Sequence, residues 1–494
     1  MCRTVTYMAT STEETKPKGF FGHPRGLANL FGTEMWERFS YYGMQAILLY
    51  YLYFSVNEGG LGLDEAVAAG IVGAYGGSVY LATIAGSWVA DRLFGPERTL
   101  LYSAVLILCG HIALAVVPGV AGVAIGLICV ALGSGGLKAT ATVLVGLLYA
   151  EGDDRRDAGF SIFYMGVNIG ALAGPLLTGL LQDKVGFHWG FGLAAVGMAF
   201  GLGQYILQRR NLPPAGREVP NPIAGAERVR AFAVIALGAA AIVVLVVTGV
   251  VGPDNLATVV TWVISVAAVM LFAMLLTSKR VDRVERQRVV AFIPMFLVSF
   301  GFWSLFQQQF TVLAIYAEQR LDLDALGFFS IPPAWFNSVE PLFVVLLAPV
   351  FAALWVRLGD RQPSTPIKFG MGVAAMGVAF LVMALMGFTK GDGVVNPLLL
   401  VLVLVIFVLG ELCLSPVGLS LSTKLAPRAF GAQMVALFYL SIALGSSVAG
   451  ALAEYYTKDS EPAYFGLLGL GALVIGAIMF ALSPVVKRLM NGVR

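Results

Sequence analysis

Fourteen stretches of about twenty mostly apolar residues follow one another along the chain, and this pattern limits its fold more than any other feature. Lipid offers backbone N–H and C=O groups no hydrogen-bond partner, so such a stretch crosses a bilayer as a helix. Only 12% of the residues are charged, and the mean hydropathy is +0.83, which excludes a soluble domain. The sequence predicts an all-α polytopic membrane protein, without a disulfide framework or a metal site.

The predicted helices lie near 27–55, 66–90, 98–117, 120–149, 159–182, 188–208, 229–251, 255–277, 289–316, 328–356, 366–388, 395–422, 430–456 and 462–486. Lys and Arg indicate the orientation, because cytoplasmic loops carry an excess of both. When both termini are placed in the cytoplasm, the inner segments hold 26 of the 32 basic residues and the outer loops hold four. The sequence therefore predicts a multi-pass protein with cytoplasmic termini. The polar N-terminal tail also lacks the apolar core of a signal peptide.

Two helices, near 229–251 and 255–277, are rich in Ala and Val and are flanked by basic loops. We expect them to form an inserted hairpin that packs outside the working site. The predicted regions are an N-terminal tail (1–26), a six-helix bundle (27–208), a linker with the hairpin (209–288), a second six-helix bundle (289–486) and a C-terminal tail (487–494). Six plus six helices resemble the major facilitator fold, whose substrate site lies at midplane between the halves. The loop 86–98, in which Asp91 and Arg92 are expected to pair, also resembles that superfamily.

Ionisable residues occur well inside the predicted spans, where a charge costs about 3 kcal/mol on insertion scales and is functional by default. They are Glu34, Glu37, Arg38, Lys138, Glu340 and Glu411. The positive charges of two bases can balance the negative charges of only two of the four acids. At least one carboxyl is therefore expected to hold a proton for part of a working cycle, since burial favours the neutral acid. The alternative is a static ion-pair network that only locks the bundle.

Prolines accompany two of these acids, because Pro341 follows Glu340 and Pro416 lies five residues after Glu411. Proline removes a backbone hydrogen bond, so we expect both helices to open locally. Asn168 and Tyr80 add polar groups, although helix packing is an alternative for each. Aromatic side chains are expected to shape the cavity, namely Trp303, Trp335, Phe438 and Tyr439. A cavity with acids on one side and bases on the other suits a zwitterion, such as an amino acid or a short peptide.

Several motifs resemble those of the bacterial proton-dependent oligopeptide transporters, over nearly the whole chain. The first helix carries Glu-x-x-Glu-Arg as Glu34, Glu37 and Arg38, followed by two tyrosines. The fifth carries Phe-Tyr-x-x-x-Asn-x-Gly over 163–170, and the tenth carries Gly-Glu-Leu-Cys-Leu-Ser-Pro-Val-Gly over 410–418. The resemblance implies proton-coupled symport of di- and tripeptides by alternating access, in a bacterial inner membrane. It implies no enzyme activity, cofactor or nucleic-acid partner, and a functional monomer in the lipid bilayer.

The resemblance also implies roles for individual residues. Glu34, Glu37 and Arg38 would couple transport to protons. The peptide carboxylate would bind Arg38, Tyr42 and Lys138, and the peptide amino terminus would bind Asn168 and Glu411. Lys138 and Glu411 would also form a gate between the halves, and the remaining pocket residues would be Tyr41, Tyr80, Trp303, Gln307, Ser415 and Phe438.

Of the positions that depart from the family pattern, three concern charged residues. Gln307 stands where the family usually has an acid on helix seven, and Gln45 where it often has an arginine. Glu340 stands where the family usually has asparagine before the helix-eight proline. We infer that Glu340 takes over the missing proton acceptor. The alternative is that Glu340 only contacts the peptide ammonium, as the asparagine does.

Other functions remain open at the level of sequence. The nearest is the same fold carrying another anion, such as nitrate, or a peptide-like drug. An intramembrane enzyme is disfavoured, because no Ser-Lys, His-Asp or paired metal-ligand pattern lies at membrane depth. A sensor that does not transport is excluded only by a flux measurement.

Overall fold

The computed structural model describes residues 19–150, 153–390 and 393–493, and these residues are mostly helical. The helices are α1 (Arg25–Tyr53), α2 (Glu65–Val89), α3 (Pro96–Val116), α4 (Gly119–Gly146), α5 (Arg156–Lys184), α6 (Phe187–Gln208), α7 (Gly225–Val247), α8 (Leu256–Thr277), α9 (Arg283–Phe306), α10 (Val312–Arg320), α11 (Val339–Leu358), α12 (Thr365–Lys390), α13 (Pro397–Lys424), α14 (Gly431–Leu452) and α15 (Glu461–Leu489). Most of the predicted tail 1–26 lies outside the described residues, and α15 continues into the tail predicted from 487.

Fourteen crossings follow from these helices in the described part of the chain. Thirteen segments are long and apolar enough to span a membrane, with α9 and α10 forming one of them. The fourteenth is α1, which is 29 residues long but carries three charges in its middle. Helices α1–α6 pack into one half and α9–α15 into the other. The predicted all-α polytopic fold is confirmed.

A close approach of α5 to α1 depends on Gly170. A Cβ at this position would lie 2.1 Å from the carbonyl oxygen of Met35 and 3.0 Å from the Cβ of Arg38. No other residue fits there without a shift of the backbone. The glycine therefore brings the polar motif of α5 next to the charged turn of α1.

The two halves are joined by hydrogen bonds at the end of the bundle away from the chain termini, which we call the far end. The Tyr50 hydroxyl donates to the carbonyl oxygen of Ala314 at 3.1 Å. Trp335 Nε1 donates to the carbonyl oxygen of Leu176 at 2.9 Å. The predicted role of Trp335 in shaping the cavity is therefore wrong in this conformation, because its indole joins the halves instead.

Glycines close the same end between α2 and α14. A Cβ at Gly73 would lie 2.6 Å from both the Cα and the N of Gly450, and 2.8 Å from the carbonyl oxygen of Ser446. The Ser446 hydroxyl donates to the Gly73 carbonyl oxygen at 3.3 Å. The far end is thus closed by backbone-to-backbone packing, which a single methyl group would disturb.

The inserted hairpin, α7 and α8, lies beside this contact. None of the α7 residues whose burial is described is buried, so its side chains face lipid. Helix α8 packs against α2 and α14. The Ser447 hydroxyl donates to the Ala257 carbonyl oxygen at 2.9 Å and lies 2.8 Å from the Thr261 hydroxyl.

Three features differ from the sequence-based expectations. The seventh crossing was expected to be one helix over 289–316, but it begins at Arg283 and breaks between Phe306 and Val312. Glu340 does not lie beside an opened turn. Instead, Pro341 stands in the first turn of α11, where its missing N–H costs no helical bond. Helix α13 also stays helical through Pro416.

The loop between α2 and α3 anchors the linker that precedes the hairpin. The expected Asp91–Arg92 pair is wrong. The Asp91 carboxylate accepts a hydrogen bond from Asn221 Nδ2 at 3.0 Å, and an Arg92 guanidinium nitrogen lies 3.3 Å from Glu227. These neighbours lie far along the chain, so the sequence around the loop could not reveal them.

Candidate functional site

A cavity of about 250 Å³ lies between the two halves, near the middle of the bundle. Its walls come from α1, α2, α9, α11, α13 and α14, together with the break between α9 and α10. All six residues predicted for the pocket line it: Tyr41, Tyr80, Trp303, Gln307, Ser415 and Phe438. Its size is close to the lower end of the roughly 300–1,000 Å³ that small-ligand pockets occupy.

The charged turn of α1 forms a buried cluster beside this cavity. Arg38 Nε lies 3.0 Å from a Glu34 carboxylate oxygen, and an Arg38 terminal nitrogen lies 2.6 Å from a Glu37 oxygen. The Ser134 hydroxyl of α4 donates to the other Glu37 oxygen at 2.8 Å. The sequence did not point to Ser134, because serine in a small-residue helix is also common in packing.

Arg38 does not lie on the cavity wall, although it is predicted to bind a carboxylate. The side chain is 3% exposed, and both neighbouring glutamates occupy its guanidinium. Its guanidinium carbon lies 5.5 Å from the ring centre of Tyr41, which does line the cavity. Arg38 therefore acts on the cavity through Tyr41 in this conformation.

Lys138 is not part of the cavity wall itself, but its ammonium contacts two tyrosines that line the cavity. Its Nζ lies 4.6 Å from the ring centre of Tyr80 and 5.0 Å from that of Tyr41, in cation–π contact with both. Within residues 19–150, 153–390 and 393–493, no carboxylate oxygen lies within 4.0 Å of this ammonium. The predicted gate pair with Glu411 is not formed in this conformation. Lys138 is half-buried, and a cation withdrawn from water without a carboxylate is costly, which favours a ligand as its partner.

The acidic side of the cavity consists of Glu340 and Glu411. Glu340 belongs to the first turn of α11 and Glu411 to the middle of α13, and both line the cavity. The two residues line the same cavity, and their carboxyl groups interact with each other. Two ionised carboxylates this close repel each other, which favours a proton on one of them.

Besides Glu411 Oε2, two polar atoms of the described lining are buried without a hydrogen-bond partner: Gln45 Oε1 and Trp303 Nε1. One accepts and the other donates, so both are available to a ligand. Gln45 and Gln307, which replace a charged pair of the family, line the same cavity. No charge therefore stands on that wall.

Asn168 is placed differently from the prediction. Its Nδ2 donates to the Tyr164 carbonyl oxygen at 2.9 Å, four residues earlier in α5. Its side chain is not part of the cavity wall in this conformation. A contact with a peptide amino terminus would need a movement of α5 toward the acidic pair.

Comparison with known proteins identifies the chain. The family model described as PTR2, POT family, matches residues 97–467. This chain belongs to the POT family. It is 46% identical to the uncharacterized transporter YclF of Bacillus subtilis (strain 168), over 96% of this chain and 97% of that protein. It is 42% identical to the di-/tripeptide transporter of Lactococcus lactis subsp. cremoris, over 97% and 98% of the two chains.

Among solved structures, a mutant of a peptide transporter POT in complex with alafosfalin is 48% identical to this chain. The structures superpose with a TM-score of 0.93, covering 97% of this chain and 98% of that one. These matches confirm the predicted family and the prediction that the chain is a transporter and not an enzyme.

Proposed function

We propose that this POT-family chain carries di- and tripeptides into the cell by proton-coupled symport, with alternating access to the cavity. The observation that carries the proposal is the polarity of the cavity. The unpaired ammonium of Lys138 lies on one side and the carboxyl groups of Glu340 and Glu411 on the other. A zwitterionic peptide matches both. Two acids on the wall disfavour an inorganic anion such as nitrate.

The distribution of basic residues supports cytoplasmic termini in a bacterial inner membrane, since 26 of the 32 lie on that side. The far end then faces outward, and the hydrogen bonds of Tyr50 and Trp335 close it. Because the far end is closed, we infer that the cavity opens toward the cytoplasm in this conformation. We also propose that one chain is sufficient for transport, because both halves of the site come from the same chain.

The ligand's position follows from the charges. The peptide carboxylate would lie between Lys138 and Tyr42, with Arg38 acting through Tyr41. The amino terminus would lie at Glu411 and Glu340, and Asn168 would approach it during the cycle. Glu34, Glu37 and Arg38 would couple to protons, since they form a closed network with one base for two acids.

Uptake of labelled dialanine into proteoliposomes tests the function directly. An inward proton gradient is expected to drive accumulation above the external concentration, and a protonophore is expected to abolish it. Liposomes without protein provide the background. Uptake that is equal with and without the gradient would contradict proton coupling, and the absence of peptide uptake would contradict the substrate.

Replacing Glu411 with glutamine is expected to weaken binding of free dipeptides far more than binding of their N-acetylated forms. The ammonium loses a buried charge partner, which costs about 2 kcal/mol or more, roughly thirtyfold in affinity. An acetylated peptide has no ammonium to lose. Binding to the purified protein measures both ligands, and equal losses would remove Glu411 from this role.

Replacing Gly73 with alanine is expected to lower dialanine uptake about tenfold. The added methyl would lie 2.6 Å from Gly450 backbone atoms, so α2 and α14 would have to separate when the far end closes. Overpacking costs roughly 1–3 kcal/mol, and 1.4 kcal/mol corresponds to tenfold. Gly203→Ala in α6 is the matched control, because nothing lies within 4 Å of its added Cβ. Unchanged uptake in Gly73→Ala would contradict closure at this contact.

A further inference from the structure

The acidic end of the cavity contains two carboxyl groups and no base. Glu340 and Glu411 line the same cavity and interact with each other, and neither forms an ion pair with a basic residue in the described part of the chain. Arg38 is bound to Glu34 and Glu37 at the other side of the cavity. The charge of the pair is therefore balanced only by a proton or by a ligand.

The groups that face the pair from neighbouring helices are uncharged. Tyr42 of α1 and Tyr80 of α2 interact electrostatically with both carboxyls. Tyr439 of α14, Gln307 of the break after α9 and Ser415 of α13 complete this part of the wall. The Lys138 ammonium lies between the Tyr80 and Tyr41 rings and forms no ion pair with Glu340 or Glu411 in the described residues. None of these groups neutralises a second carboxylate.

In the absence of a ligand, the pair holds one proton, because two facing carboxylates cannot both stay ionised. A peptide with a single ammonium matches the remaining negative charge. A peptide with a second positive charge near its amino terminus matches two carboxylates. In that case the proton leaves the pair for the surrounding water.

We propose that the Glu340–Glu411 pair makes this transporter prefer peptides whose amino-terminal residue carries a second positive charge, and that these peptides displace the proton held by the pair. Such ligands are dipeptides that begin with lysine or arginine. The proposal rests on the proposed peptide transport and adds the substrate class. It also assigns Glu340 as the residue that determines this specificity.

The expected pH dependence has a defined sign. Binding of a lysyl peptide releases one proton, so its affinity rises with pH by up to about tenfold per unit while the pair is protonated. A singly cationic peptide leaves the proton in place, and the pair contributes no such slope. The affinity ratio between the two peptides therefore rises with pH.

Calorimetry on the full-length purified protein tests this with two ligands of nearly the same size, Lys-Ala and norleucyl-alanine. Titrations in buffers of different ionisation enthalpy measure the protons released on binding. Lys-Ala is expected to release about one more proton than norleucyl-alanine. Glu340→Gln is expected to remove this difference and the preference for Lys-Ala, while norleucyl-alanine still binds. Asp183→Asn, an acid-to-amide change outside the cavity, is the matched control and should behave as wild type.

The outcomes separate the two proposals. If both peptides bind wild type with the same proton release, or if Glu340→Gln keeps the difference, the specificity proposal is overturned and peptide binding stands. If neither peptide binds wild type, the proposed function fails together with it. Binding of norleucyl-alanine to Glu340→Gln shows that the variant is folded.

Discussion

Replacing Lys138 with alanine is expected to abolish concentrative uptake of dialanine. Its ammonium lies between the rings of Tyr41 and Tyr80 without a carboxylate partner, so it is free to bind the peptide carboxylate. Losing a buried charge partner costs the ligand about 2–5 kcal/mol, or roughly thirtyfold and more in affinity. The same residue is proposed to pair with Glu411 when the cavity closes to the cytoplasm. Both binding and closure would therefore be lost.

Proteoliposome uptake under an inward proton gradient measures this effect. Lys184→Ala is the matched control, because that lysine lies at the surface beside Asp183 and outside the cavity. It is expected to transport as wild type does. Normal gradient-driven accumulation in Lys138→Ala would disprove both roles of the residue.

Replacing Glu340 with glutamine is expected to abolish gradient-driven accumulation of dialanine and to leave counterflow exchange intact. Gln307 cannot titrate, so the C-terminal half needs another acid to couple to the proton. Glu340 lines the same cavity as Gln307. Glutamine keeps the shape and hydrogen bonding of the protonated acid, so peptide binding persists. Exchange requires no net proton movement, which is why it survives.

The double variant Glu340→Gln with Gln307→Glu provides the companion experiment. It moves the acid to the position that the family usually uses, across the same cavity. Recovery of accumulation would support an exchange of roles between the two positions. If exchange and accumulation fall together in Glu340→Gln, the residue only contacts the ammonium. Fully retained accumulation would exclude both roles.

The sequence predicted the crossings well, because each must contain about twenty apolar residues whatever surrounds it. It missed the break after Phe306, where neither proline nor glycine is present. The run Gln307–Gln309 was the available signal, since three amides in an apolar helix lack partners in lipid. Pro341 led us to predict an opened helix where none is present. A proline in the first turn of a helix cannot be told from one in its interior until the helix start is known.

The sequence predicted which residues line the cavity better than it predicted which of them contact each other. Charges at membrane depth are expensive, which singled out Lys138, Glu340 and Glu411 before any coordinates. The proximity of Glu340 to Glu411 depends on how α11 packs on α13, and that lies beyond any local pattern. The same is true of Ser134, which reaches Glu37 only because α4 packs against α1.

The attachment of the hairpin has a mechanical consequence. Helix α8 is hydrogen-bonded to α14 through Ser447, whereas the contacts that the described residues show between α8 and α2 are apolar, such as Ala257 opposite Gly70. When the halves rotate, α8 is therefore expected to travel with the C-terminal half and slide along α2. The two helices could slide along each other at the α2–α8 contact, because no hydrogen bond between them in the described residues would have to break. The linker between α6 and α7, which Asp91 holds at Asn221, would change its shape to accommodate this displacement.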